Sequence, residues 1–248
     1  MTARSNLWFP PASPSAFDDE FDDATATVAA WDLSYTPVAT IIDPLTTFST
    51  AGAIRESINV IRPSWYLYQL PAESVNRYIS RAPNGASELS DGTYWCRLKS
   101  FYGFGAVSDN SQCFFGLAAT SAGDPDQNND GYTVYLHEND PGAVEPSALG
   151  FSGGVSRINL EMSDVEGSGL HFEYAAILKD SNTYHLFLGS GPGSWVHLAS
   201  DTYPGAAVIN RVHFGGVSVN VGTPGNITYG CDFVRFIAPL AGGELVLP

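Results

Sequence analysis

Basic residues are scarce in this 248-residue chain. Eleven Lys and Arg stand against 26 Asp and Glu, and only Lys99 and Lys179 are lysines. The resulting net charge of -15 repels phosphate backbones and anionic lipid, which argues against a nucleic-acid partner. No apolar run approaches the length of a membrane span, so no membrane insertion is expected. The stretch from Met1 to Ser15 has one Arg and no apolar block, which does not read as a signal peptide. Charged residues make up only 15%, but 44% of the chain is hydrophobic, so a disordered chain is excluded. Long stretches free of Gly, Pro and β-branched residues are missing, which excludes a helical bundle. The three cysteines, Cys96, Cys113 and Cys231, are an odd number without metal spacing. They read as buried thiols, with a single pairing as the alternative.

What the chain has in abundance is turn and strand chemistry: 25 Gly, 16 Pro, 12 Tyr and 14 Phe. Strand-like segments run over Thr27–Trp31, Thr36–Ile42, Ile54–Ile61, Ser64–Leu70, Arg77–Arg81, Gly92–Phe101 and Gln112–Thr120. They continue over Tyr132–Glu138, Val155–Met162, Leu170–Leu178, Thr183–Gly189, Trp195–Ala199, Ala207–Val219 and Tyr229–Ile237. Turn signals such as Asn129-Asp130-Gly131, Asp180-Ser181-Asn182 and Ser190-Gly191-Pro192-Gly193 fall between them. The pattern predicts an all-β, antiparallel β-sandwich over residues 17–237. Residues 1–16 read as an extended N-terminal arm, because Pro10, Pro11 and Pro14 forbid regular structure. Residues 238–248 form a short C-terminal tail, either docked or free to make a second contact.

Three motifs carry a family resemblance. Pro10-Pro-Ala-Ser-Pro14 leads into Asp18-Asp19-Glu20-Phe21 and then Trp31. Ser64-Trp65-Tyr66-Leu67-Tyr68-Gln69-Leu70-Pro71 follows, and Asp232-Phe233-Val234-Arg235-Phe236 closes the series. The chain resembles the concanavalin-A-like (laminin-G-like) jelly-roll domains of tailed-bacteriophage virion proteins. The resemblance implies that the acidic lead-in opens the domain and the last motif closes the sheet. The fold hosts lectins, glycan hydrolases and structural modules, so the role must come from sites.

Asp124, Asp126, Asn128 and Asp130 place oxygen ligands at alternate positions before Gly131, the pattern of a calcium loop. The twelfth position holds His137 instead of a bidentate Glu, so a solvated hairpin tip is the competing reading. Gly150-Phe-Ser152-Gly-Gly154 has the letters of a nucleophile elbow, but a strand pattern follows where a helix is required. Hydrolases of this fold carry a Glu-x-Asp-x-Glu strand. The nearest match, Glu161, Asp164 and Glu166, is misspaced for one face. His137, His171, His185, His197 and His213 read as single half-buried histidines, although folding could bring His171, His185 and His197 together. Among the aromatics, Tyr66, Tyr68 and Tyr102 are candidates for glycan or subunit contact, and Trp8 and Phe9 for anchoring the arm in a neighbouring subunit.

The sequence reading is therefore a non-enzymatic virion-surface structural protein, a head-decoration protein or a tail or fibre module. It would be made in the host cytoplasm and be oligomeric, with a trimer favoured. Its partners would be other virion proteins and, through a lectin-like face, host-surface glycan. No cofactor other than calcium is expected. The alternative is a free-standing glycan-binding or glycan-hydrolysing protein of the same fold.

Overall fold

The structure is a computed structural model that describes residues 17–20, 31–33, 66–70, 75–101, 111–119, 129–137, 146–161, 172–218 and 227–248. Among the described residues thirteen strands run in chain order: β1 Asp32–Leu33, β2 Tyr66–Leu70, β3 Val75–Arg81, β4 Gly92–Phe101, β5 Ser111–Ala118, β6 Gly131–His137 and β7 Pro146–Ser152. They are followed by β8 Val155–Glu161, β9 Tyr174–Asp180, β10 Thr183–Gly191, β11 Ser194–Thr202, β12 Arg211–Ser218 and β13 Ile227–Ile237. No helix occurs among the described residues.

Two sheets form, with strand orders β1-β3-β12-β5-β6-β7-β8 and β11-β10-β9-β4-β13-β2, and every pairing is antiparallel. Alternation decides what each strand buries. From the seven-stranded sheet, Cys113, Phe115, Leu117, Tyr132, Val134, Val212 and Phe214 enter the space between the sheets. From the other, Tyr94, Cys96, Leu98, Ala175, Ile177, Tyr184, Leu186 and Leu188 meet them. Cys96, Cys113 and Cys231 are all buried thiols. Burial and the neighbouring Cys96 thiol push the Cys231 thiol up, so it stays neutral.

The expected strand at Gly92–Phe101 is matched residue for residue, and most others shift by one to four residues at an end. β7 is a strand that the sequence reading did not anticipate. It pairs with β8 through a two-residue turn at Gly153 and Gly154, whose φ values of 58° and 78° are those of a type I′ hairpin. Ser152 is the last residue of β7, and β8 follows directly, so no nucleophile elbow exists there. The expected strands at Thr36–Ile42 and Ile54–Ile61 lie outside the described residues.

The acidic lead-in and the closing strand meet. Asp19 and Val234 exchange both backbone hydrogen bonds at 2.9 Å, which extends the sheet beside β13 beyond the end of β2. Arg235 forms a two-pronged ion pair with Glu20, the Phe236 N–H donates to Asp18 Oδ1, and Trp31 Nε1 donates to Asp19 Oδ2. Phe17 sits in the core, edge-on to Tyr94 and Phe236. The C-terminal tail is docked. The Val246 carbonyl accepts from Thr93 Oγ1, and the Pro248 carbonyl accepts from Gly193 N–H and from Trp195 Nε1.

Candidate functional site

The seven-stranded sheet has an outward face whose central row is Ser80, His213, Gly116 and Thr133, directly opposite one another across β3, β12, β5 and β6. Phe114 and Tyr135 occupy the next row. These side chains point away from the inter-sheet core, yet Ser80, His213, Thr133, Phe114 and Tyr135 are all buried. At these positions the face is closed to a ligand. Complete desolvation pushes the His213 imidazole down to about 3, so it is neutral at ordinary pH. The three central strands, β12, β5 and β6, contain no Asp or Glu. Glu161 ends the edge strand β8, and Asp164 and Glu166 lie outside the described residues.

Of the four expected calcium ligands, Asp130 alone is described. Its Oδ1 accepts the Gly153 N–H at 2.7 Å and its Oδ2 accepts the Tyr203 hydroxyl at 2.6 Å. Asp130 therefore ties the β7–β8 hairpin to the segment after β11. It is half-buried beside buried Asn129, not at an open loop tip. Asp124, Asp126 and Asn128 lie outside the described residues. Nearby, Tyr132 and Tyr184 stack with centroids 4.6 Å apart, and Tyr203 meets both edge-on. Asp201 accepts the Tyr132 hydroxyl and both prongs of Arg157. Burial alone would raise the Asp201 carboxyl, but the Arg157 and Tyr132 hydrogen bonds outweigh it and hold it below the usual value.

The outward face of the six-stranded sheet is different. Its cross-strand rows read Arg235-Trp95-Ala176-Phe187-His197 and Phe233-Arg97-Tyr174-Gly189-Trp195. Gly189 fixes the position of Trp195. A Cβ at Gly189 would lie 2.8, 3.0 and 3.1 Å from Cε3, Cζ3 and Cδ2 of the indole. Three ring atoms at nearly equal distance mean that the ring lies flat over the glycine. One π-face rests on the sheet, the indole Nε1 donates to the Pro248 carbonyl of the docked tail, and Leu247 of that tail packs against the same aromatic cluster, which leaves Trp195 half-buried. Tyr174 stands edge-on beside it at 6.3 Å, and Phe187 is also half-buried. Arg97 forms hydrogen bonds with Glu173 and Asp232 at the border of this patch.

In the third row of that face, His185 is opposite Ser200. His185 Nδ1 lies 2.6 Å and His197 Nε2 2.8 Å from Ser200 Oγ. Folding thus brings together His185 and His197, two of the three histidines able to converge, and His171 lies outside the described residues. A separate open cleft of about 220 Å³ is lined by Phe17, Tyr94 and Phe236 with Arg81, Asn84 and Ser90. Its size is below the range of roughly 300–1,000 Å³ usual for small-molecule sites.

The other sequence candidates are placed less fully. Tyr66 and Tyr68 belong to β2, the edge strand of the six-stranded sheet, opposite Cys231 and Tyr229. Tyr102, Trp8 and Phe9 lie outside the described residues.

No protein-family model matches the chain, and no curated protein matches it by sequence. Solved structures do. The Bacteroides ovatus structure titled "Xyloglucan PUL GH43B" superposes with a TM-score of 0.52 at 13% identity, over 94% of this chain and 40% of that one. The chain thus spans under half of that protein. A Bacillus licheniformis beta-glucanase aligns over 89% of this chain and 96% of its own, with a TM-score of 0.48 and 12% identity. A legume lectin-like domain from Entamoeba histolytica aligns over 87% and 92%, with a TM-score of 0.48 and 8% identity. At such identities the likeness is one of fold. With two antiparallel sheets and no helix among the described residues, the chain is an all-β sandwich. Its architecture is that of the concanavalin-A-like jelly roll expected from the sequence, and the fold is shared with the Bacteroides ovatus structure.

Proposed function

We propose that this protein binds glycans on the outward face of the six-stranded sheet, with Trp195 as the stacking surface. The observation that carries this reading is the half-buried indole lying flat over Gly189, beside the docked tail that ends on its Nε1. A pyranose ring presents a patch of C–H groups that packs on such a face, and Tyr174 and Phe187 widen the platform. The Arg97–Glu173 pair at its border offers polar groups to sugar hydroxyls. Free-standing glycan binding, the alternative in the sequence reading, thereby takes precedence over the virion-surface role. The test is a glycan array followed by calorimetry, with xyloglucan among the ligands because the Bacteroides neighbour's title names it. Trp195→Ala is expected to weaken binding at least about tenfold, equivalent to about 1.4 kcal/mol. Binding to no glycan, or unchanged binding by the variant, overturns the reading.

The resemblance of the lead-in and closing motifs to phage virion proteins supports a virion surface as the setting. In that setting the arm with Trp8 and Phe9 would supply subunit contacts. Deleting residues 1–16 is then expected to reduce oligomer size while leaving the melting temperature nearly unchanged. Hydrolysis is the second reading, favoured by the occurrence of this fold in glucanases. Its carboxylates would have to come from outside β12, β5 and β6, which hold none. Release of reducing sugar from a bound glycan would establish it.

A further inference from the structure

We propose that His185, His197 and Ser200 form a surface binding site for a borderline d-block divalent cation: zinc, nickel or copper. The site stands apart from the glycan reading and does not depend on it.

The geometry begins with a β-bulge. Leu186 pairs with Ala199 and Phe187 with His197, so Leu198 is an extra residue on β11. In a regular strand His197 and Ser200, three positions apart, would point to opposite faces. The bulge turns Leu198 and Ala199 both toward the core and leaves His197 and Ser200 both outward. Bulges cost ladder pairing and recur where a side chain must be re-aimed. Here the re-aimed hydroxyl lies between two imidazoles, 2.6 Å from His185 Nδ1 and 2.8 Å from His197 Nε2.

One hydroxyl carries one proton. It can therefore donate to only one of the two rings, and the other ring must donate to it. Two ring nitrogens thus converge on one small volume where a single proton-sharing oxygen serves both. A cation there takes both nitrogen lone pairs, and the hydroxyl oxygen lies close enough to be a third ligand. Imidazole nitrogen selects zinc, nickel and copper over calcium and magnesium. His197 and Ser200 are exposed and His185 is half-buried, so water can complete the coordination. Asp180 adds a carboxylate field beside His185. No bond is made or broken beyond exchange of ring and solvent protons with buffer.

The experiment is titration of the full chain with zinc, nickel and copper(II) in a non-chelating buffer. It is compared with His185→Gln and His197→Gln, and each variant is first checked by thermal melting. One equivalent is expected to bind in the micromolar range, and each substitution should weaken it at least about tenfold. Electron paramagnetic resonance of the copper-loaded native protein needs no variant and should show two imidazole nitrogens. Absence of micromolar binding, unchanged binding in both variants, or a copper spectrum with fewer than two nitrogens overturns the proposal.

Discussion

Glu20→Gln tests the joint between the beginning of the described fold and its last strand. Glu20 grips Arg235 with both oxygens, one of them 2.7 Å from Nη2. The Arg235 side chain is 3% exposed and that of Glu20 33%. Breaking a fully buried pair by removing one partner costs roughly 3–5 kcal/mol, because the remaining charge is left in low dielectric. Glu20 is a third exposed, so water can approach the vacated side, and the cost falls to about 2–3 kcal/mol. The guanidinium also lies 4.1 Å from the Phe233 ring centroid and 5.5 Å from that of Trp95, contacts that the substitution leaves in place. For a chain of this size about 1 kcal/mol corresponds to roughly 2–4 °C, so the melting temperature should fall by about 5–10 °C. The assay is calorimetric melting at pH 7 of Glu20→Gln, Arg235→Met and the double variant. The double variant should lose less than the sum of the single losses, because removing both charges leaves neither unpaired. A Glu20→Gln protein melting within about 1 °C of the parent would refute the reasoning, since no buried charge could then have been left uncompensated.

Three further outcomes follow from other buried or half-buried polar groups. His213 is held down to about 3 when folded, against 6.5 for the free side chain. The unfolded chain therefore takes up the extra proton as pH falls below 6.5, and stability should drop by about 1 kcal/mol per pH unit toward pH 4. His213→Gln should remove that component of the slope in urea unfolding series at several pH values. Lys179 spends its ammonium on Glu88, Asp91 and the Ser181 carbonyl, and its side chain is 4% exposed. Lys179→Met should cost about 2 kcal/mol in denaturant unfolding. Asp130→Ala strips the acceptor from the Tyr203 hydroxyl and the Gly153 N–H, an expected loss of about 1–3 kcal/mol by the same assay. If the calcium reading were the whole role of Asp130, a chelator would reproduce that loss in the native protein.

The strands were legible because alternation and turn residues are local signals. β4 carries the pattern Thr-Tyr-Trp-Cys-Arg-Leu-Lys-Ser between Gly92 and Phe101, and its bounds emerged unaltered. β7 was not legible, because it begins with Pro146 and holds Gly150, both of which weaken a strand signal. What rescues it is pairing on both sides, with β6 and β8. The lead-in was legible as a motif and opaque as a joint. Five acids in the seven residues from 17 to 23 suggest a solvated run by charge, and Phe17 and Phe21 suggest that it lies against the domain without naming its partners. The role of Glu20 depends on Arg235, 215 positions away, and only the sheet places the two together.

The histidine site shows the same limit in its sharpest form. Strand periodicity puts Trp195 and His197 on one face and sends Ser200 to the other, so a reading of residues 194–202 by alternation separates the groups that meet. The extra residue at Leu198 reverses that assignment for everything after it. Nothing in Leu198-Ala199 announces a bulge, since both residues suit a regular strand. The partner strand decides it: Leu186 and Leu188 both face the core, and β11 must fill that side with Val196, Leu198 and Ala199. The convergence of His185, Ser200 and His197 is thus a consequence of core packing between two strands.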